Sequence, residues 1–291
     1  MMEKILSIQN LVKYYGKTLG VENVCLDIYE GEILGLIGSN GAGKSTTLRA
    51  VMNLINKTEG QVYFKNEPLT KDRVDLKKDI GYLPSEIYLY EEMTVKEMLD
   101  YHESFYEQID SKYRKKLVKK LKIDEFKKIE DLSLGNLKKL GIVLAMMHKP
   151  KLLILDEPTS GLDPVMQEVF FELLKEINRE GTTILYSTHV LSEISKLCNR
   201  VGIIKDGKLI KVEDIKMLAT KNLTNVTISS RKIEDIIKKL NVKYKLIDQF
   251  TIKFNNDINI NELITLLSAY QLDSLLIEEA SLEEVLMNYY K

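Results

Sequence analysis

The residues with the clearest chemical potential lie in Gly38-Ser39-Asn40-Gly41-Ala42-Gly43-Lys44-Ser45, which Thr46 follows. Glycines at these positions let a backbone close around an anion, so that N–H groups and a following helix N-terminus point at phosphate oxygens. A lysine after the last glycine can neutralise β- and γ-phosphates, and the next hydroxyl can ligate magnesium. A second segment, Leu152-Leu153-Ile154-Leu155-Asp156-Glu157, ends an apolar run in two carboxylates. The aspartate can hold a magnesium ion through water, and the glutamate can polarise an attacking water. By itself the glycine-rich loop says only that a nucleoside triphosphate is used.

Such groups need rigid elements to aim them. Glu32-Ile33-Leu34-Gly35-Leu36-Ile37-Gly38 is a continuous apolar run ending in glycine, which suits a strand buried on both faces. Leu48, Val51, Met52 and Ile55 recur at helical spacing, so a helix is expected over 45–55. Leu152–Leu155 and Thr183–Tyr186 read as two more buried parallel strands. The helix expected between them, over 165–179, has Pro164 at its first turn and Val169, Phe170, Leu173, Leu174 and Ile177 on one face. Strand, helix and strand at this spacing make a βαβ unit, and residues 5–9 and 24–30 read as further strands. Residues 94–150 read as largely helical. In them Lys112 to Lys120 is a solvated face whose Tyr113, Leu117 and Leu121 turn inward, not a polyanion site.

The pattern changes after residue 220. Val226 and Ile228 suggest a strand, Ile233, Ile236, Ile237 and Leu240 an amphipathic helix, and Phe250, Ile252 and Phe254 another strand. Leu263, Ile264, Leu266 and Leu267 look helical, Leu275 to Ile277 look extended, and Ser281-Leu282-Glu283-Glu284 is a capping box. The order expected is the βαββαβ of a small ferredoxin-like α+β domain. The sequence thus divides into residues 1–217, with a helical subdomain at about 90–150, and an accessory or regulatory domain at 218–291.

Composition limits the partners. With 42 basic and 43 acidic residues among 291, the net charge of −1 provides no global field for nucleic acid, and none is expected as a partner. Cys25 and Cys198 lack metal-ligand spacing and fit small core residues in a reducing compartment. The N-terminus has no apolar signal core, and the longest apolar run, Ile142 to Met147, is far short of the ~20 residues that cross a bilayer. If this chain moves a solute across a membrane, another chain supplies the path.

At the second acidic segment a resemblance becomes specific. Asp156-Glu157-Pro158-Thr159-Ser160-Gly161-Leu162-Asp163-Pro164 closely resembles the Walker B and D-loop stretch of ABC ATPases. Leu132-Ser133-Leu134-Gly135-Asn136 stands where that family keeps its signature, and Ser187-Thr188-His189 looks like its switch-histidine motif. Tyr15 looks like the aromatic residue that stacks on adenine, with Tyr14 as the alternative. These motifs occur in family order and cover residues 3–215.

The resemblance implies an α/β P-loop NTPase fold, with a mixed sheet core and a helical subdomain, that uses ATP and Mg²⁺. It implies a dimer in which each ATP lies between one subunit's Gly38–Thr46 loop and the other's Ser133, Leu134, Gly135 and Asn136. Lys44 would bind the γ-phosphate, Glu157 would be the general base, His189 would grip the γ-phosphate, and Asp163 would link the two sites. Ser45 and Asp156 would hold the metal. Two departures stand out: Leu134 replaces a glycine, and Ser85 replaces the Gln-loop glutamine, leaving Ser85 or Glu86 to approach the metal. Ile80-Gly81-Tyr82-Leu83-Pro84 and Ala280 to Leu286 resemble the ABC-2-type exporter branch of drug, bacteriocin and peptide exporters. That branch implies a separately encoded permease, a second ATPase subunit (identical or related), and a place on the cytoplasmic face of the cell membrane. Tyr88, Leu89, Tyr90 and Met93 would contribute to the permease contact. A soluble ABC protein of ribosomes or DNA would show a second P-loop or sustained heptads, and neither occurs. A low-turnover ATP-binding regulator is suggested by Ser85 and Leu134 and opposed by the presence of Glu157 and His189.

Overall fold

The computed structural model describes residues 3–219, 224–240, 242–256 and 260–279. Backbone contacts divide the chain into two units, Met1–Asp214 and Ile215–Lys291.

The first unit holds two sheets. One is antiparallel, in the order Thr18–Tyr29, Lys4–Tyr15, Glu59–Phe64, Glu67–Pro68. The other has six strands in the order Lys208–Asp214, Arg200–Lys205, Ile33–Ile37, Thr183–Thr188, Leu152–Asp156, Ile80–Leu83. All its neighbours are parallel except the Lys208–Asp214 edge, so the sheet is mixed. Ile33–Ile37 and Leu152–Asp156 are buried at every position, as unbroken apolar runs require between two covering layers. The helix Lys44–Val51 touches strands of both sheets and buries Leu48, Ala50 and Val51 in their shared core. Full burial of a side chain such as Leu48 contributes about 1.5–3 kcal/mol. The sequence expectation carried this helix to residue 55; it ends at Val51, with Asn53 beyond it at φ 56°. The first two strands are longer than expected because they form a hairpin across Gly16, at φ 60°.

Cys25 corrects its expected burial. It lies on the outward side of Thr18–Tyr29, between buried Val24 and Leu26 across register shifts, and is exposed, whereas Cys198 is buried. The basic run behaves as expected. Tyr113, Leu117 and Leu121 are buried, while Lys116 and Lys120 pair with Glu176.

The helical part comprises Val95–Glu103, Ser111–Lys120 and Leu134–Met146. Thr94 and Glu97 cap the first of these reciprocally, in a capping box. Gly81 admits the last one closely, since a Cβ there would lie 2.1 Å from the Ala145 carbonyl oxygen. A cavity of about 320 Å³ opens beside this junction, lined by Tyr82, Pro84, Ile87, Met98, His102 and His148 among others. The ring centroids of His102 and His148 are 6.1 Å apart, and Tyr106 stacks on His148 at 4.4 Å.

In the second unit the sheet order is Lys245–Asp248, Thr251–Asn256, Thr224–Ser229, Ser274–Glu279, antiparallel throughout. Helices Ile233–Leu240 and Ile260–Leu267 connect it in the ferredoxin-like order βαββαβ. Val226, Ile228, Ile236, Ile252, Phe254 and Leu263 form its core. The strand Lys245–Asp248 is invisible to sequence alternation. All four of its residues are exposed, so it carries no burial period. The capping box at Ser281–Glu284 and the exporter-like ending from Ala280 lie outside the described residues. Among the described residues no helix is long and apolar enough to cross a membrane.

Burial, reinforced by neighbouring His102, lowers the His148 imidazole from 6.5 to about 4. A ring held neutral in the fold is protonated first in the unfolded chain, so its contribution to stability falls as pH drops from 6.5 to 4. It is constant above and below that window. Urea unfolding of the wild type should lose about 2–3 kcal/mol more across this range than His148→Phe, which lacks the titrating ring.

Candidate functional site

The glycine-rich loop joins the carboxyl end of Ile33–Ile37 to the helix Lys44–Val51. Gly43 occupies the helix N-cap at φ 108°, a conformation that glycine adopts without steric cost. It has no side chain with which to cap, so the first-turn N–H groups face the loop and suit an anion. Gly38 is equally constrained, because a Cβ there would lie 2.5 Å from the Ile204 carbonyl oxygen. Ala42 is buried and its N–H donates to Ser39 O at 3.1 Å, which closes the turn around Asn40 and Gly41.

Lys44 is almost wholly buried, and three acceptors meet its ammonium. Gly38 O lies at 2.7 Å, Ser39 O at 3.1 Å and Glu157 Oε1 at 3.2 Å. An unpaired buried ammonium would be costly, and this arrangement offsets that cost within the loop. Glu157 Oε2 lies 2.7 Å from His189 Nδ1. Glu157 itself adopts φ 48°, a strained value for such a side chain, at the end of a buried strand. Its N–H donates to Ser187 O at 3.1 Å, which ties the turn to the neighbouring strand.

Asp156 is fully buried. Its Oδ1 accepts the hydroxyls of Ser45 and Ser187, each at 3.0 Å, while its Oδ2 is buried without a hydrogen-bond partner. A hard, oxygen-seeking cation fits that donor set, which joins a free carboxylate oxygen to an adjacent hydroxyl. Beside the loop, Gly20 lies against the Tyr15 ring on one side and the Thr46 methyl on the other. Tyr15 and Tyr14 are both about half exposed, so neither serves as core packing, and Lys13 Nζ lies 4.8 Å above the Tyr15 ring.

The remaining expected residues are held elsewhere. Ser133 caps Leu134–Met146 by accepting Asn136 N–H at 3.4 Å, and Lys139 donates to Asn136 Oδ1. Gly135 packs on the turn at Gly161, since a Cβ would come within 2.8 Å of its carbonyl oxygen. Leu134 is 73% exposed. Among the described residues no hydrogen bond or ion pair joins Ser133–Asn136 to Lys44, Ser45, Asp156 or Glu157. Asp163 accepts Met166 N–H at 3.0 Å and caps its own helix, Pro164–Arg179. Ser85 receives a 3.4 Å hydrogen bond from Arg49, and exposed Glu86 accepts the Tyr88 hydroxyl at 3.1 Å.

Three contacts carry no signal in the sequence. Ser187 reaches Asp156 only because their strands pair in parallel register. Arg49 reaches Ser85 from the loop helix. Lys138, almost fully buried, donates to the carbonyl oxygens of Pro84 at 3.3 Å and Ser85 at 3.1 Å. Burial lowers its pKa, and the charges of Asp156 and Glu157 oppose that shift. It pins the Ser85 segment to the helix that begins at Ser133.

The family profile described as ABC transporter matches residues 21–160. An uncharacterized ABC transporter ATP-binding protein of Methanocaldococcus jannaschii is 36% identical over 276 residues, covering 86% of this chain and 99% of its own length. A lantibiotic transport ATP-binding protein of Streptococcus pyogenes is 38% identical over 71% of this chain and 89% of its own. For a linearmycin resistance ATP-binding protein of Bacillus subtilis the figures are 35%, 72% and 68%. Among solved structures, a dimeric bacterial ABC transporter cassette superposes with a TM-score of 0.66 at 28% identity, covering 72% of this chain and 98% of that one. A dimeric post-hydrolysis cassette bound to ADP and phosphate gives 0.65 at 27% identity, covering 72% and 98%.

Lys44→Ala removes the buried ammonium from the loop. Binding of a fluorescent ATP analogue is expected to weaken about a hundredfold, given roughly 1.5–3 kcal/mol for each hydrogen bond to a charged group. Equilibrium titration alongside thermal melting separates this loss from unfolding.

Proposed function

The chain belongs to the ATP-binding subunits of ABC transporters, and on that premise we propose that it powers export through a separately encoded ABC-2-type permease. Such subunits bind and hydrolyse ATP and work as head-to-tail pairs with a membrane permease. The observation that carries the reading is the cluster in which Glu157 holds Lys44 with one carboxylate oxygen and His189 with the other, while Ser133–Asn136 are held apart from it. One chain therefore presents the phosphate loop and base of one site and the signature of another.

In this reading the Gly38–Thr46 loop cradles the triphosphate of ATP, Lys44 neutralises its β- and γ-oxygens, and Tyr15 stacks on the base. Ser45 and Asp156 would hold Mg²⁺, which when bound neutralises charge on the phosphate oxygens. The free Asp156 Oδ2 supports that assignment. Ser85 and Glu86 remain the candidates on the Gln-loop side. Glu157 orients and deprotonates the attacking water, and His189 grips the γ-phosphate. The partner's signature supplies the remaining positioning, because phosphoryl transfer depends on alignment and charge stabilisation that half a site lacks. Asp163 links the two sites. The second subunit is an identical or related ATPase.

Tyr88, Leu89, Tyr90 and Met93 contribute to the permease contact on the cytoplasmic face of the membrane. Tyr88 and Tyr90 are largely exposed, and Tyr88 and Leu89 border the cavity beside His102 and His148. The names of the lantibiotic and linearmycin relatives support an exporter. The short Glu157–His189 contact speaks against a regulator with little turnover.

Glu157→Gln keeps the shape of the site and removes its base. Turnover with the permease is expected to fall by about 10²–10⁴-fold, with ATP retained and dimers accumulating in light scattering. Equal turnover in wild type and variant would refute the enzymatic role of Glu157.

A further inference from the structure

Glu193 takes no part in the chemistry described above, yet it is one of the few buried carboxylates among the described residues. It lies in the first turn of Leu191–Leu197 and is 7% exposed. Among the described residues no cation pairs with it. A buried carboxylate without a counter-charge needs strong hydrogen bonds to stay in place. Glu193 has three, all from hydroxyls. Thr159 donates to Oε1 at 2.6 Å, Thr188 to Oε2 at 2.6 Å and Tyr186 to Oε2 at 3.0 Å.

The donors matter because of where they stand. Thr159 follows Glu157 by two residues, and Thr188 immediately precedes His189. The Thr188 hydroxyl also accepts Val190 N–H at 3.0 Å, so it holds the backbone on both sides of His189. Tyr186, fully buried in the strand Thr183–Thr188, anchors the carboxylate to the sheet. One side chain thus grips both turns that bring Glu157 Oε2 and His189 Nδ1 to 2.7 Å.

We infer that Glu193 is a positioning residue that holds the Glu157 and His189 turns in one register through the hydroxyls of Thr159 and Thr188. Its effect on turnover rests on the roles proposed above for Glu157 and His189; its effect on their geometry does not. A carboxylate accepts all three hydroxyls at once, whereas a glutamine amide brings a donor into a place built for acceptance. Loosening the grip misplaces the base and the histidine, while the loop carbonyls of Gly38 and Ser39 still hold Lys44. The consequence falls on the catalytic step more than on ATP binding.

The chain has three histidines, His102, His148 and His189, so isotopic labelling of histidine gives a simple spectrum. In full-length Glu193→Gln, the His189 imidazole signals should shift while those of His102 and His148 stay. Turnover of MgATP should fall about tenfold with KM within about twofold. Thr188→Val, which removes one hydroxyl, should shift the same resonance and serves if the glutamine variant does not fold. An unmoved His189 signal in both variants overturns the inference. So does a shift of all three histidines together with a lowered melting temperature, which marks general loosening. A His189 shift with unchanged turnover upholds the positioning and rejects the catalytic role of His189.

Discussion

Lys44 needs acceptors on all sides of a buried ammonium, and much of the site follows from that need. Two come from the loop carbonyls and the third from Glu157, a residue far away in sequence at the end of another strand. Placing that carboxylate requires the strands Ile33–Ile37 and Leu152–Asp156 to end on the same side of the sheet. Parallel pairing through the intervening Thr183–Thr188 ensures this. The same sheet edge brings Ser45 and Ser187 to Asp156. Fully apolar strands are therefore part of the chemistry, because their burial sets the register at which their polar ends meet.

The charges in this cluster are balanced locally. Asp156 and Glu157 lie near the buried amines of Lys44 and Lys138, and His189 closes the outer side of Glu157. The positive φ of Glu157 turns its side chain toward Lys44 and His189, a local strain that the surrounding hydrogen bonds must offset. In the same unit, Ser133 and Asp163 act as helix caps, and Gly135 packs on Gly161. A group already fixed in this way loses little freedom on association.

Much of the nucleotide unit was legible in the residues. Runs such as Leu152–Leu155 identified buried strands because only covered strands tolerate unbroken apolar sequence, and Pro164 marked a helix start because its ring suits the first turn. Cys25 was misread as buried because residue type alone does not tell which side of a strand faces the core. The edge strand Lys245–Asp248 had no periodic signature, because exposure on both faces erases the alternation on which such readings depend.

The sequence by itself determined which groups have the types and spacing for phosphate binding and water activation, namely Gly38, Gly43, Lys44, Ser45, Asp156 and Glu157. It also determined that these groups sit at strand ends and helix starts, because local periodicity is short in range. Only the tertiary structure decided which distant partners complete them: Glu157 for Lys44, Ser187 for Asp156, Lys138 for the Ser85 segment and Glu193 for the turns around His189. Those pairings depend on strand register and on the burial of charge, and both arise only when separate segments of the chain pack against one another.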